Sequence, residues 1–395
     1  MSLPARRGRA AGPGPGGVLE LLLDGQPRTR AEIAQLTGLS RSTVSARVDE
    51  LIRAGVVAPA GASASSGGRP PARVAFNRVA GVVVGIDLGA THGTVAVCDL
   101  AGGVLAARTI DLAIADGPDP VLTAVLNTAK ELLDGVPGEV AAWGLGLPGP
   151  VDHATGRPIA PPIMPGWDRV DVPDLVRERV GRPEAPVLVD NDVNVLALGE
   201  HATWWPEADD LLYVKIATGI GAGIVAGGVL QRGARGSAGD LGHVRVPWTP
   251  DSPRQAHDQR ELEDVASGPA IAAQLREAGI EARTSADVVA LVRAGDRTAI
   301  DLVRQAGREV GAVVATVVNV LGPSVIVIGG SVGRAVEDLI AGVREVVYRQ
   351  SLPLATEHLQ IVAARGDANA GALGAAIMAA RHALAPEAIE TWFAS

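Results

Sequence analysis

The stretch Gly81–Val104, GVVVGIDLGATHGTVAVCDLAGGV, limits the possible folds more than any other part of the chain. Val82–Ile86 is a β-branched run suited to a buried strand. Asp87–Gly93 is a glycine-rich turn, and Thr94–Cys98 is apolar again before Gly102-Gly103 turns the chain. A turn of small residues with a carboxylate at its mouth lets backbone come close to a phosphate. Leu211–Gly233 repeats the order of strand, glycine-rich turn, strand and Gly-Gly turn. The echo predicts two related α/β lobes with a cleft between them.

With 395 residues there is room for two or three structural units. The net charge of -9 is unevenly spread, because residues 1–78 hold 11 Arg against 5 Asp or Glu, leaving a +6 head on a -15 body. Only the head therefore suits nucleic acid. Cys98 is the sole cysteine, which excludes an intrachain disulfide and is consistent with a reducing, cytoplasmic location. The N-terminus has no apolar run for a signal peptide. Val310–Ile328 imitates a membrane span, but Asn319 and Gly322-Pro323 interrupt it; a buried helix leading into a core strand is expected, and no membrane partner.

Residues 1–16 lack periodicity and read as a mobile tail, and 17–79 as a DNA-binding head. Val18–Leu23 opens a helix. Thr29 and Glu32 form a capping box for a second, with Ile33, Ala34 and Leu36 facing inward. Gly38 stops it, and Ser40 caps a third helix whose stripe is Val44, Val48, Leu51 and Ile52. Ala34, Gly38 and Val44 suit the steric core of a helix-turn-helix. The third helix offers Arg41, Ser42, Thr43, Ser45 and Arg47 to bases or phosphates. Val56-Val57 and Arg73–Phe76 read as a wing around a segment whose Gly68-Arg69-Pro70 resembles a minor-groove AT-hook. A plain Ser/Gly linker is the competing reading.

In the body, a helix is expected over Pro120–Leu133, a strand over Ala141–Leu147, then the stiff turn Pro148–Asp152. Val187–Val189 delivers Asp190-Asn191-Asp192 to a helix start. Asp192 there could be a carboxylate aimed at a ligand hydroxyl or a helix cap, and both readings stay open. The first lobe is placed at 80–200, closed by a C-terminal helix in 371–395, and the second at 201–370.

Five stretches in order, IDLGAT (86–91), LGLPGPVD (145–152), DNDVN (190–194), ATGIGAGIV (217–225) and GARGSAGDLGH (233–243), make the chain similar to the ROK family. That family comprises sugar kinases and sugar-responsive repressors with the actin-like, two-lobed ATPase fold. A winged helix-turn-helix ahead of such a body marks the repressor branch. The resemblance implies a sugar clamp of Asn191, Asp192, Asp240, His243 and Glu263. It also implies a degenerate nucleotide site of Asp87, Gly89, Thr91, Thr218, Gly219 and Gly221. Asp192 would be catalytic, with ATP and magnesium, only if the protein is a kinase.

The chain departs from the family's pattern in three places. Asp240 stands where Glu is usual. Ala90, Ala217 and Ala222 put methyl groups in the phosphate loops, where they could block a close cradle. Three zinc-binding Cys positions fall on Arg254, Ala256 and Glu261, so no metal is expected, although His243, His257 and Asp258 are potential ligands. The expectation is a cytoplasmic, sugar-responsive repressor, acting on operator DNA as a homodimer or dimer of dimers with a sugar or sugar-phosphate effector. The rival is an active sugar kinase with an added DNA-binding head.

Overall fold

A computed structural model of the chain describes residues 14–60, 72–246, 260–333, 337–366 and 368–392. The head comprises α1 (Pro15–Leu22), β1 (Arg28–Thr29), α2 (Arg30–Thr37), α3 (Arg41–Arg53), β2 (Val57–Ala60) and β3 (Arg73–Phe76). Local chemistry sets its boundaries. Thr29 accepts the Glu32 N–H while the Glu32 carboxylate accepts the Thr29 N–H at 2.7 Å. Gly38 ends α2 at φ 71°, where a Cβ would be strained, and the Ser40 hydroxyl accepts the Thr43 N–H to start α3. The strands form an antiparallel sheet in the order β1-β3-β2, so the wing is a true hairpin. Its tip, with Arg69, lies outside the described residues.

Leu36 departs from the sequence reading: it is 59% exposed. At about 100° per residue, Ala34 and Thr37 fall on one side of Ile33 and Leu36 on the other. The inward stripe is therefore Ile33, Ala34 and Thr37, whose hydroxyl donates back to the Ile33 carbonyl.

The body continues with β4 (Val82–Leu88), β5 (His92–Asp99), β6 (Val104–Asp111), α4 (Pro118–Leu133) and β7 (Val140–Leu147). Then come β8 (Val151–Asp152), β9 (Arg157–Pro158), α5 (Val172–Val180), β10 (Val187–Asn191) and α6 (Asp192–Trp204). Next are β11 (Leu211–Ile216), β12 (Ile220–Ala226), β13 (Val229–Gln231), α7 (Leu262–Ala266), α8 (Gly268–Glu277) and α9 (Ser285–Arg293). The chain closes through α10 (Arg297–Leu321), β14 (Val325–Gly329), α11 (Gly330–Gly333), α12 (Glu337–Gln350), α13 (Pro353–Thr356), β15 (Gln360–Ala363), α14 (Ala370–Ala383) and α15 (Pro386–Trp392).

These elements form two compact units, 1–203 with 367–395, and 204–366. The first holds the sheet β10-β7-β4-β5-β6 and the second the sheet β13-β12-β11-β14-β15. Read from its antiparallel edge, each sheet is a three-stranded meander followed by two parallel strands. The sequence echo is thus a repeat of topology. Parallel neighbours need crossovers, which α4, α5, α12 and the run α7–α10 provide. The span-like Val310–Ile328 is the last part of α10 followed by the core strand β14; Val310–Ala315 are buried, but Asn319, Val320 and Leu321 are exposed, and no described helix is long and apolar enough to cross a membrane.

One hydrophobic cluster in the first unit joins head and body. It contains Val18, Leu19 and Leu22 of α1, Val44 and Val48 of α3, Val83 and Cys98 of the sheet, Ala376 and Ala380 of α14, and Ile389 of α15. A Cβ at Gly16 would lie 2.3 Å from Pro386 Cα, so α1 meets the start of α15 backbone to backbone. The head is docked on the C-terminal helices rather than carried on a free linker.

Candidate functional site

On the DNA side, Arg41 and Ser42 are exposed at the start of α3, while Thr43, Ser45 and Arg47 are half-buried. The Ser40 hydroxyl lies 2.9 Å from that of Ser42 and 2.8 Å from that of Thr43, so both are partly committed to the cap. Arg30 pairs with Asp49 across α2 and α3, neutralising the first acidic residue of α3. Arg41 is therefore an exposed cation at the N-terminal end of α3. Arg41→Ala should weaken specific DNA binding by about 1–3 kcal/mol. Equal affinities of variant and parent for selected DNA would remove Arg41 from base readout.

In the first unit, the carboxyl ends of the parallel strands β10, β7 and β4 bring Asp192, Gly146 and Asp87 together. A Cβ at Gly146 would lie 3.1 Å from Asp87 Oδ1 and 3.5 Å from Asp192 Cα. Asp87 sits at the end of β4, not within the turn, and faces the first turn of α14: a Cβ at Gly371 would be 2.1 Å from Asp87 Oδ2. In the β4–β5 turn the Gly89 N–H donates to the His92 carbonyl, and the Ala90 and Thr91 carbonyls accept from Ile114 and Leu112. Thr91 is exposed there.

Asn191, next to Asp192, supplies the helix cap. Its Nδ2 donates to the Gly149 carbonyl at 2.8 Å, fastening the Pro-Gly-Pro turn, and its Oδ1 accepts the Val193 N–H at 2.9 Å, capping α6. One N–H and one lone pair of the amide remain for a ligand. Asp192, 4% exposed, is the first residue of α6. Sequence reasoning missed the support beneath it. Asp190, 1% exposed, accepts the Asn191 N–H at 2.8 Å and Asn194 Nδ2 at 2.7 Å. His153 Nδ1 stands 3.1 Å from the Val189 carbonyl oxygen and 3.6 Å from Asp190 Oδ2. The four-residue spacing of Asp190 and Asn194 within DNDVN was the available signal.

In the second unit, Thr218 is exposed in the β11–β12 turn and Gly219 is half-buried. Gly221 and Ala222 lie in β12, opposite Lys215 and Val214. Ala222 is 3% exposed within the apolar core. Its methyl cannot obstruct a phosphate, which removes one of the three objections to the cradle; Ala90 and Ala217 remain in their turns. Glu263 Oε2 accepts the Ile220 N–H at 2.9 Å, and a Cβ at Gly219 would come within 2.8 Å of that oxygen. Glu263 thus supports the glycine-rich turn as well as standing beside Gly242, whose carbonyl accepts the Glu263 N–H.

Asp240 and His243 are exposed. His243 Nδ1 is 2.7 Å from Glu261 Oε2, and this hydrogen bond, then the charge of Asp240, raises its pKa above the usual histidine value. At one of the family's zinc-binding cysteine positions stands Glu261, paired with His243 Nδ1, and no group of three metal-binding side chains occurs among the described residues. Arg254, Ala256, His257 and Asp258 lie outside those residues. The structure therefore assembles Asp87, Asn191 and Asp192 in one unit and Gly219, His243 and Glu263 in the other.

Comparison with known proteins places the chain in a family. A family model described as "ROK family" matches residues 83–382, and one described as "Winged helix-turn-helix DNA-binding" matches 17–58. The xylose repressor of Caldicellulosiruptor bescii is 27% identical over 380 residues, covering 91% of this chain and 94% of its own. The glucokinase of Thermotoga maritima is 31% identical over 312 residues, covering 74% of this chain and 96% of its own. A crystal structure of a ROK family transcriptional regulator, a homolog of the E. coli MLC protein, superposes with a TM-score of 0.80. It is 27% identical, with 96% of this chain and 98% of that one covered.

Proposed function

Because the chain belongs to the ROK family and carries a winged helix-turn-helix ahead of the family's body, we propose that it is a repressor of carbohydrate-related genes whose hold on DNA responds to a sugar or sugar phosphate. The observation that carries the reading is one chain with both an exposed Arg41–Ser42 helix end and the polar group Asp87, Asn191 and Asp192. Relatives named as xylose repressors match both head and body, which supports it further. Carboxylates and amides can bridge adjacent sugar hydroxyls and reject a ligand lacking one. Asn191 and Asp192 would serve in the first unit, and Asp240, His243 and Glu263 in the second. Two heads on a pseudo-palindromic operator imply a homodimer or dimer of dimers, with the sugar altering the spacing of the heads.

The test selects DNA bound by the full chain from a random pool and titrates the complex with monosaccharides and their phosphates. One sugar should release the DNA and raise the melting temperature by mass action. A panel in which no sugar alters DNA binding overturns the reading.

A second reading, an ATP-dependent sugar kinase with a DNA-binding head, is favoured by Asp192 and Asp87 both lying against Gly146 and by the Ala222 methyl lying in the core. ATP and magnesium would then lie against Gly89, Thr91, Thr218 and Gly219. Ala90 and Ala217 weigh against it. Phosphoryl transfer needs a positioned nucleophile and a full phosphate cradle together, so we expect no sugar-dependent ATP consumption. Asp192→Asn should instead weaken the sugar response of DNA binding. Turnover that disappears in Asp192→Asn would make the kinase reading the right one.

A further inference from the structure

We propose that Glu261 is the positioning residue for His243, fixing imidazole Nδ1 so that Nε2 is the atom left for a ligand hydroxyl, and that it does so without a metal ion. The proposal rests on the reading of His243 as a sugar contact. The 2.7 Å separation is that of a charge-assisted hydrogen bond. An ionised carboxylate can only accept, so Nδ1 must carry the proton, and Nε2 is the remaining polar atom of the ring.

The two partners differ in how firmly they are held. Glu261 opens α7, whose Leu262, Val265 and Ala266 are buried in the apolar core of the second unit. Its own N–H donates to the Asp264 carboxylate at 3.2 Å. His243 stands on an exposed connection whose side chain is 63% accessible. The rigid element therefore positions the exposed one.

Backbone pairing brings them face to face. The Leu262 N–H donates to Val244, the Glu263 N–H to Gly242 and the Val246 N–H to Arg260, around a bridge between Arg245 and Glu261. This neck joins 242–246 to 260–263. Two residues beyond Glu261, Glu263 holds the Ile220 N–H of the glycine-rich turn. One short stretch thus positions both the imidazole and that turn. A three-thiolate zinc site would perform the same joining, but Glu261 occupies one of its positions, while the sequence has Arg254 and Ala256 at the other two.

The test compares the full-length protein with Glu261→Ala and Glu261→Gln, using a His243→Asn variant to assign the imidazole signals. Nitrogen-15 NMR of His243 should show the proton on Nδ1 in the parent and a shift toward Nε2 in Glu261→Ala, with Glu261→Gln nearer the parent. Affinity for a sugar that stabilises the parent should fall about tenfold or more in Glu261→Ala and less in Glu261→Gln. Unchanged melting temperatures would exclude general unfolding as the cause. An unchanged His243 tautomer in Glu261→Ala overturns the proposal, as does about one zinc per chain whose removal by chelator shifts the tautomer. If the tautomer shifts as expected but no sugar binds the parent, the positioning stands and the sugar reading fails.

Discussion

Gly144→Ala should destabilise the protein by about 4 kcal/mol or more, enough to leave much of it unfolded. Gly144 lies in β7 under α14, and a Cβ there would stand 2.0 Å from the Ala375 carbonyl oxygen and 2.7 Å from its carbon. The helix cannot retreat cheaply. Beside it, Gly85 of β4 makes the same approach, 1.9 Å from the Ala372 oxygen, and Ala372, Ala375 and Ala376 are fully buried. Interiors are close-packed, so a methyl without space must displace backbone or unpack neighbours. Gly135→Ala is the control, since its nearest neighbour would be 3.9 Å away; its effect should stay within about 0.5 kcal/mol. Urea unfolding of the two variants decides it. A Gly144→Ala protein as stable as the control would mean that α14 does not lie on the sheet in this way.

Ile389→Asp should detach the head, lowering both melting temperature and DNA affinity although no DNA-facing residue is touched. Ile389 of α15 is fully buried in the cluster that contains Val18, Leu19 and Leu22 of α1. A carboxylate placed there lies in apolar surroundings away from water, and burying it without a partner costs several kcal/mol. Ile389→Val removes one methylene and should cost only about 0.5–1.5 kcal/mol. The contrast between the two, read by thermal unfolding and by affinity for selected DNA, separates loss of docking from local repacking. Parental DNA binding in an Ile389→Asp protein would show that the head works without its seat on the C-terminal helix.

The local elements were legible in the sequence because their causes are local. Thr29 with Glu32, Gly38 and Ser40 mark helix ends through hydrogen bonds and backbone angles that involve neighbours only a few residues away. The two strand-turn-strand stretches announced the repeated sheet because β-branched runs and paired glycines need no distant partner to be recognised. Leu36 and Ala222 were misplaced for the complementary reason. Which side of a two-turn helix is covered, and whether an alanine next to a glycine turn lies in the loop or the strand, depends on what packs against it.

By itself the sequence determined the order of elements, the basic head and the polar residue types of the candidate site, since periodicity, capping and charge are properties of short windows. Only the tertiary structure decided how those polar groups are employed. Asn191 is fastened to Gly149, Glu263 to Ile220 and His243 to Glu261, and Asp87 is set against the start of α14. In each case the partner lies many residues away, brought there by strand order and by helices packed backbone to backbone. A side chain's free hydrogen-bonding capacity is what remains after such partners are satisfied, and that remainder exists only once the chain has folded.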